Sequence, residues 1–185
     1  VGGFNNSVGG YGAFVGGGGG AKNADTVDTD ADDFNEADGG WSALVGGRGN
    51  HVMGGYGFIG GGRRNIIDKG LESDTTDFIF NTIVGGEMNK IKRPNADSGL
   101  DIRYSFIGGG KNNWNEASFS AIVGGDSNKI FSSKDTLNKF AFIGGGRNNQ
   151  ILSDLDVDTV EDAKFYGAVI VGGINNKSSE GGNFI

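Results

Sequence analysis

The chain has 185 residues, 38 of them glycine, a net charge of −7 and no cysteine. The lack of cysteine excludes disulfides, thiolate metal sites and cysteine nucleophiles, and the acidic balance argues against nucleic acid as a partner, because nucleic acids bind basic surfaces. A single proline and the lack of glycine at every third position exclude collagen. With 13 phenylalanines and many Val and Ile residues, the chain has a core to bury and is not a disordered tract.

One motif recurs along the whole chain. A bulky apolar residue precedes Val or Ile, Gly-Gly follows, and a polar residue, usually Asn, stands five places after the Val or Ile. The nine copies have this Val or Ile, here called the anchor, at Val1, Val15, Val45, Ile59, Val84, Ile107, Val123, Ile143 and Val171. Because so short a unit cannot bury its apolar side alone, the copies must stack on one another. The sequence therefore predicts one all-β repeat domain over residues 1–185, a parallel β-roll or β-solenoid of about nine short coils.

Each copy predicts two short strands and two corners. The residues around the anchor are β-branched or aromatic, as in strands, and Gly-Gly ends the strand with backbone conformations that side chains forbid. Asn five places after the anchor suits a left-handed turn residue whose amide bonds to the equivalent Asn of the next coil. This predicted turn ladder consists of Asn6, Asn50, Asn89, Asn112, Asn128, Asn148 and Asn176.

The spacing between anchors varies, but it never falls below 14 residues. The additional residues lie between the second strand of one copy and the first strand of the next. A corner that accepts any length must face solvent, because a long buried loop would leave backbone polar groups unpaired. The spacing therefore predicts loop insertions at one corner, over residues of about 22–40, 68–80, 92–103, 132–138 and 152–166.

Two large apolar residues stand side by side in almost every copy. Neighbouring residues of a strand point to opposite faces, so only one of the two can fill the interior of the coil. The residues before the anchors are therefore candidates for the core or for an interface between chains: Phe14, Leu44, Phe58, Ile83, Phe106, Ile122, Phe142 and Ile170. Stacked on an outer face, they would form an apolar stripe larger than monomers usually expose. We expect the chain to associate with copies of itself.

The strand and turn motifs also resemble a known family. The sequences NTIVG at 81–85, YSFIG at 104–108 and FSAIVG at 119–124 resemble the YadA-like head repeats of trimeric autotransporter adhesins. The glycine-rich versions, GGGKNN at 108–113 and GGGRNN at 144–149, look like β-roll repeats of bacteriophage tail fibres. The resemblance implies a left-handed parallel β-roll, with three chains side by side around one axis.

The same resemblance implies a function and a location. It implies a structural and adhesive segment of an extracellular fibre, in a virion tail fibre or on a bacterial cell surface, that displays loops to a host cell-surface glycan or protein receptor. Neither nucleic acid nor membrane insertion is expected for this segment. The chain opens on Val1, at an anchor and without Met, so we expect it to be part of a longer fibre protein.

Two alternatives stay open. The first is a tailspike-like polysaccharide depolymerase with paired carboxylates among the acids of the insertions, and the second is a purely structural spacer solenoid. The prediction is nevertheless that the chain is no enzyme and has no catalytic residue, because His51, the single histidine, has no partner that the sequence places beside it.

The first insertion contains a candidate metal site. Asp28, Asp30 and Asp32 alternate with other residues, as do the oxygen ligands that open a calcium-binding EF-hand loop. The glycine and the glutamate that such a loop needs at its sixth and twelfth places are replaced by Asp33 and Gly39. The alternation also fits an ordinary strand with one solvated face. Calcium stays open as a ligand of these three residues, and no other cofactor is predicted.

Overall fold

The computed structural model describes residues 3–20, 34–68, 80–93, 102–131, 140–152, 167–179 and 183–185. These ranges contain 17 short strands and no helix, and hence no helix that could cross a membrane. The chain is all-β in this described part, as the repeat predicts.

The strands form two parallel sheets. Sheet A has nine strands: β1 (Asn6–Val8), β3 (Asn35–Ala37), β5 (His51–Val52), β7 (Ile66–Ile67), β9 (Lys90–Ile91), β11 (Trp114–Asn115), β13 (Lys129–Phe131), β15 (Gln150–Leu152) and β17 (Lys177–Ser178). Sheet B has eight: β2 (Phe14–Val15), β4 (Ala43–Leu44), β6 (Phe58–Ile59), β8 (Thr82–Ile83), β10 (Phe106–Ile107), β12 (Ala121–Ile122), β14 (Phe142–Ile143) and β16 (Val169–Ile170). Successive strands alternate between the sheets, so the chain advances one strand in each sheet per coil. This is a β-solenoid, and the predicted coil of two strands and two corners is confirmed.

The core is a column of aliphatic side chains between the sheets. Sheet B contributes one fully buried residue per strand: Val15, Leu44, Ile59, Ile83, Ile107, Ile122, Ile143 and Ile170. Sheet A contributes Ala37, Val52, Ile67, Ile91, Ile130 and Ile151. Each buried Val, Leu or Ile stabilises the fold by roughly 1.5–3 kcal/mol relative to an exposed one. Because a single coil has only two such residues, its stability comes from stacking on its neighbours.

The register corrects half of the predicted anchors. Ile59 pairs with Leu44, so Leu44, and not Val45, is the residue that points inward. The same shift applies at the anchors Val84, Val123 and Val171, which are about half exposed. The residues before them, which the sequence predicts as core or interface candidates, are buried. The cause is the third glycine of copies such as Ile59 to Gly62, which takes the place of the outward valine. A one-residue slip reverses the face of a strand residue, and Val and Ile both suit either face.

One predicted insertion is also corrected. Within the predicted loop at 22–40, residues 35–37 form β3 and pair with β1 and β5. This strand carries Ala37 where most other coils have Val or Ile, so it lacks the apolar pattern of a strand. The insertion before it therefore follows the glycine turn, at the opposite corner from the others, and insertions are not limited to one corner. Most of the length of the predicted insertions lies outside the described residues, at 22–33, 69–79, 94–101, 132–138 and 153–166, as does Val1.

A ladder of buried asparagines fixes the turn after sheet B. Asn65 is typical: its Nδ2 donates to the carbonyls of Gly61 at 3.0 Å and Gly86 at 2.9 Å, while its Oδ1 accepts the backbone N–H of Asn89 at 3.0 Å. The amide thus bonds within its own coil and to the next one, which satisfies buried backbone groups that the turn would otherwise leave unpaired. The members are Asn35, Asn50, Asn65, Asn89, Asn113, Asn128, Asn149 and Asn176, of which all but the partly buried Asn176 are buried.

The predicted turn ladder needs correction at two positions. Asn112 and Asn148 are exposed and precede the buried ladder members Asn113 and Asn149 by one residue. They have the left-handed conformation that the ladder residues were expected to have, with φ of 55° and 53°. The error comes from the same third glycine, because counting five places from Ile107 or Ile143 ends one residue early.

Candidate functional site

The outer face of sheet B carries no charged side chain, and Thr82 is its one polar residue. It consists of the first residue of each sheet B strand and the residue directly after that strand, two positions in each of eight coils. Lys, Arg, Asp and Glu make up 21% of the chain, yet none occurs among these positions. We call this surface the outer apolar face: Phe14, Gly16, Ala43, Val45, Phe58, Gly60, Thr82, Val84, Phe106, Gly108, Ala121, Val123, Phe142, Gly144, Val169 and Val171.

Two types of coil alternate along this face. A coil with an outward Phe has Gly at the second outward position, and the next coil has a smaller residue followed by Val. In the coil of Phe106 a Cβ added to Gly108 would lie 3.2 Å from the phenylalanine ring, so the ring occupies the space above the glycine. Val123, in the next coil, is 48% exposed beside it. The outer apolar face is therefore a regular pattern of large rings and valines with a period of two coils.

This packing predicts different effects for two neighbouring glycine substitutions. A Cβ at Gly108 would lie 2.3 Å from the carbonyl oxygen of Val123, whereas a Cβ at Gly124 meets nothing within 4 Å. Gly108→Ala should therefore destabilise the chain by about 1–3 kcal/mol, because backbone of the next coil has to move. Gly124→Ala should change stability by less than about 0.5 kcal/mol. Thermal or urea unfolding of both variants checks this, and equal stabilities would contradict the described packing.

An aromatic ladder lies at the corner that leads into sheet B. Phe80 and Tyr104 stack at 5.3 Å between centroids with an interplanar angle of 4°, and Tyr104 and Phe119 stack at 5.0 Å. The ladder ends at Phe140, 5.6 Å from Phe119, and Tyr56 lies 4.9 Å from Phe80. These residues and Trp41 all have the left-handed conformation, with φ between 47° and 62°. That conformation is uncommon for large side chains, so the stacking offsets a backbone cost at each step.

The aromatic ladder enlarges the outer apolar face. Its members stand three residues before the buried residue of sheet B, so each is two residues from the outer apolar face. Because the ring faces are covered by one another, their edges remain towards solvent, and Phe119 is still 44% exposed. Together the two features present rings and aliphatic groups on one side of the solenoid.

The opposite corner carries a column of charges. Arg48, Arg63, Glu87, Lys111, Asp126 and Arg147 follow one another through parallel bridges. Glu87 bonds to the guanidinium of Arg63, and Nζ of Lys111 lies 3.6 Å from its other oxygen. The hydrogen bond from Arg63 holds the pKa of Glu87 below its ordinary value against an opposing effect of desolvation, and the nearby charges of Arg63 and Lys111 lower the pKa further. These exposed pairs favour solubility and register rather than large stability.

No family model matches this chain, and no curated protein sequence matches it.

The predicted chemical sites have mixed outcomes. The candidate calcium ligands Asp28, Asp30 and Asp32 lie outside the described residues. Among the residues that are described, no three His, Asp or Glu side chains come together in a way that could hold a metal ion. His51 does have a carboxylate partner that the sequence analysis missed: its Nδ1 lies 3.0 Å from Oε2 of Glu36. That contact follows from β3 and β5 being paired, which the sequence motif does not predict.

One carboxyl group is buried in sheet A. Glu116 follows β11 and is 5% exposed. Burial raises the pKa of its carboxyl to about 7, while the positive charge of Lys92 acts in the opposite direction. The preceding residue, Asn115, takes a core position between Ile91 and Ile130, and Oγ of Ser120 donates to its Oδ1 at 2.8 Å. This coil is therefore the most polar part of the core column in the described ranges.

The raised pKa predicts a pH-dependent stability. The folded chain holds the Glu116 proton more tightly than the unfolded chain, whose carboxyl has a pKa near 4.5. Stability should therefore fall as the pH rises from about 4.5 to about 7, because the unfolded state loses its proton first and ionising the folded state is costly. Glu116→Gln removes this cost and should stabilise the chain by about 1–3 kcal/mol above pH 7, with little effect below pH 4.5.

Urea unfolding across this pH range measures the effect. The matched control is Glu87→Gln, for which the expected change in stability has the opposite sign. Because the pKa of Glu87 is lowered in the folded chain, its carboxylate stabilises the fold at pH values above the ordinary pKa of a carboxyl group. The Glu87→Gln variant should therefore be less stable than the unmodified chain at neutral pH. A Glu116→Gln variant whose stability relative to the unmodified chain does not change with pH would contradict the buried environment.

Proposed function

We propose that the chain is a structural and adhesive β-roll segment of a trimeric extracellular fibre, a phage tail fibre or a bacterial surface adhesin. In this proposal the solenoid is a rigid spacer, three copies associate side by side, and the insertions are displayed to a host cell-surface receptor or glycan. Three copies of each weak loop contact raise avidity without a single strong site.

The outer apolar face carries this proposal. Seven steps between its eight strands extend it about 34 Å along the stack at about 4.8 Å per step. Val45, Val84 and Val171 are each about half exposed on it, and Phe14 is 54% exposed. A surface of this length without a charged residue exceeds what single soluble chains usually expose. Other copies of the chain are suitable occupants, because their own faces have the same rings and valines.

The number three and the extracellular location are supported by the resemblance to adhesin and tail-fibre repeats. That resemblance rests on the residues that form sheet B and its turns, for example residues 81–85 and 104–108. The alternating phenylalanines and valines support association but not a particular number of copies. A trimer of parallel solenoids would bring the three faces to one axis, as in a bundle with a shared apolar core.

Single cysteines test the arrangement, since the natural chain has none. Val123→Cys places a thiol on the outer apolar face, and Gln150→Cys places one on the outward side of sheet A. If copies associate through sheet B, a short bifunctional maleimide should link Val123→Cys chains to each other and leave Gln150→Cys chains unlinked. Cross-linking of Gln150→Cys alone, or equal cross-linking of both, would contradict the proposed interface.

A further inference from the structure

A column of lysines runs along the outward side of sheet A. The paired residues Lys90, Trp114, Lys129, Gln150 and Lys177 occupy the same position in five consecutive strands, β9 to β17. A lysine therefore recurs in every second strand. Two strand spacings amount to about 9.6 Å, which sets the distance between successive lysine Cα atoms.

Aromatic side chains lie beside these lysines. Nζ of Lys92 is 4.7 Å from the centroid of the Trp114 ring, and Nζ of Lys129 is 5.8 Å from that of Phe131. The two rings are themselves 6.0 Å apart and tilted by 54°. Trp114 remains partly exposed. This part of sheet A thus combines ammonium groups with an indole on a flat surface.

The charge of this surface is opposite to that of the chain. From β9 to β17 the described outward residues of sheet A include four lysines, Lys90, Lys92, Lys129 and Lys177, and a single carboxyl, that of Glu116. Glu116 is 5% exposed, so its carboxyl offers little repulsion at the surface. The whole chain has a net charge of −7. A local basic surface on an acidic protein selects anionic ligands.

We propose that this surface binds an extended acidic polysaccharide that carries one negative charge per disaccharide and lies parallel to the solenoid axis. An extended β-linked disaccharide is about as long as two strand spacings, so successive charges of such a chain would meet Lys90, Lys129 and Lys177 in turn. Trp114 lies between the first two and offers an apolar surface to a sugar ring. The inference rests on the proposed attachment function and names the class of ligand for it.

The test uses hyaluronan oligosaccharides, which carry one carboxylate per disaccharide, and neutral chito-oligosaccharides of equal length. In a Trp41→Phe background Trp114 is the single tryptophan of the chain, so its fluorescence reports binding at this surface. Hyaluronan should change the Trp114 emission and bind at least about tenfold more tightly than the neutral sugar, and its affinity should fall as salt is raised. Equal affinities for the two sugars would overturn the proposal, and so would tighter binding of a single-stranded oligonucleotide of the same charge.

Matched variants locate the site. Lys90→Gln, Lys129→Gln and Lys177→Gln together should weaken hyaluronan binding about tenfold. The control removes as many positive charges from the column of charges at the turn that follows sheet B, Arg48→Gln, Lys111→Gln and Arg147→Gln, and should weaken hyaluronan binding less than about twofold. Equal loss in both would contradict the proposed site. A trimer that does not bind hyaluronan would overturn only this binding site, whereas a monomer that binds it through the lysines would overturn only the trimeric fibre.

Discussion

Lysines introduced on the outer apolar face are expected to convert the proposed trimer into single chains. Val84→Lys with Val123→Lys places two charges directly after strands β8 and β12, at positions that are about half exposed in one chain. The two introduced lysine side chains do not disturb the interior of the coils, because Ile83 and Ile122 fill it. In an assembly, the same lysines from each copy would be buried near one another, at a cost of several kcal/mol per charge. The mass in solution should therefore fall to that of one chain.

The control for this experiment adds the same charge to the other sheet. Ile66→Lys with Gln150→Lys changes two outward residues of β7 and β15, and should leave the mass unchanged. Circular dichroism and thermal unfolding establish that both double variants keep the solenoid. Dissociation of the sheet A variant, or an unchanged mass for the sheet B variant, would contradict an interface on the outer apolar face.

Loss of one ladder asparagine is expected to be the most destabilising polar substitution in the turns. Nδ2 of Asn113 donates to the carbonyls of Gly109 and Gly125 at 2.9 and 3.0 Å, and its Oδ1 accepts the N–H of Asn128 at 3.0 Å. Asn113→Ala leaves that buried N–H and the Gly109 carbonyl without these partners. Since each unpaired buried group costs about 1–3 kcal/mol, the variant should lose about 3–5 kcal/mol of unfolding free energy.

The neighbouring asparagine provides the control. Asn112 is exposed and has a φ of 55°, a conformation that glycine adopts without strain. Asn112→Gly should change the unfolding free energy by less than about 0.5 kcal/mol. Urea unfolding of the two variants separates the positions, and a larger loss for Asn112→Gly would mean that the ladder runs through Asn112 as the motif alone predicts.

The repeat predicts the architecture because its physical cause is local. Gly-Gly must follow the strand, since a Cβ at Gly86, which has a φ of 91°, would lie 2.2 Å from the carbonyl oxygen of Gly110 in the next coil. Apolar residues must precede Gly-Gly, since the coils have no other core. These requirements recur in every coil and are readable from one sequence. The two sheets, their parallel pairing and the alternation of inward and outward residues follow from them.

The face that each apolar residue takes is harder to predict. Leu44 and Val45 are both suited to a core, so their types do not decide which one points inward. A better signal is the distance of six residues from the buried residue to the ladder asparagine, as from Ile59 to Asn65 and from Ile107 to Asn113, which holds in every coil except that of Val15, where an insertion precedes Asn35. Where no insertion interrupts the turn, its hydrogen bonds fix its length, whereas Val occurs as the anchor on either face.

The aromatic ladder and the lysine column depend on pairing between coils. Phe80 and Tyr104 are 24 residues apart because an insertion lies between them, whereas Tyr104 and Phe119 are 15 residues apart, so their spacing in the sequence is irregular although their spacing in the structure is regular. Their left-handed conformation also runs against the usual preference of aromatic residues. Lys90 and Lys129 are likewise 39 residues apart in the chain but two strands apart in sheet A. The register of the sheets is required to find either feature.

The mass of the unmodified chain in solution tests the central claim most directly. Light scattering during size-exclusion chromatography should give three times the chain mass of 19.1 kDa, and this value should persist on dilution. A mass of three chains would place Phe106, Phe142 and the outward valines between copies. A monodisperse species of 19.1 kDa would instead mean that these side chains face water, and would contradict the fibre as well as its interface.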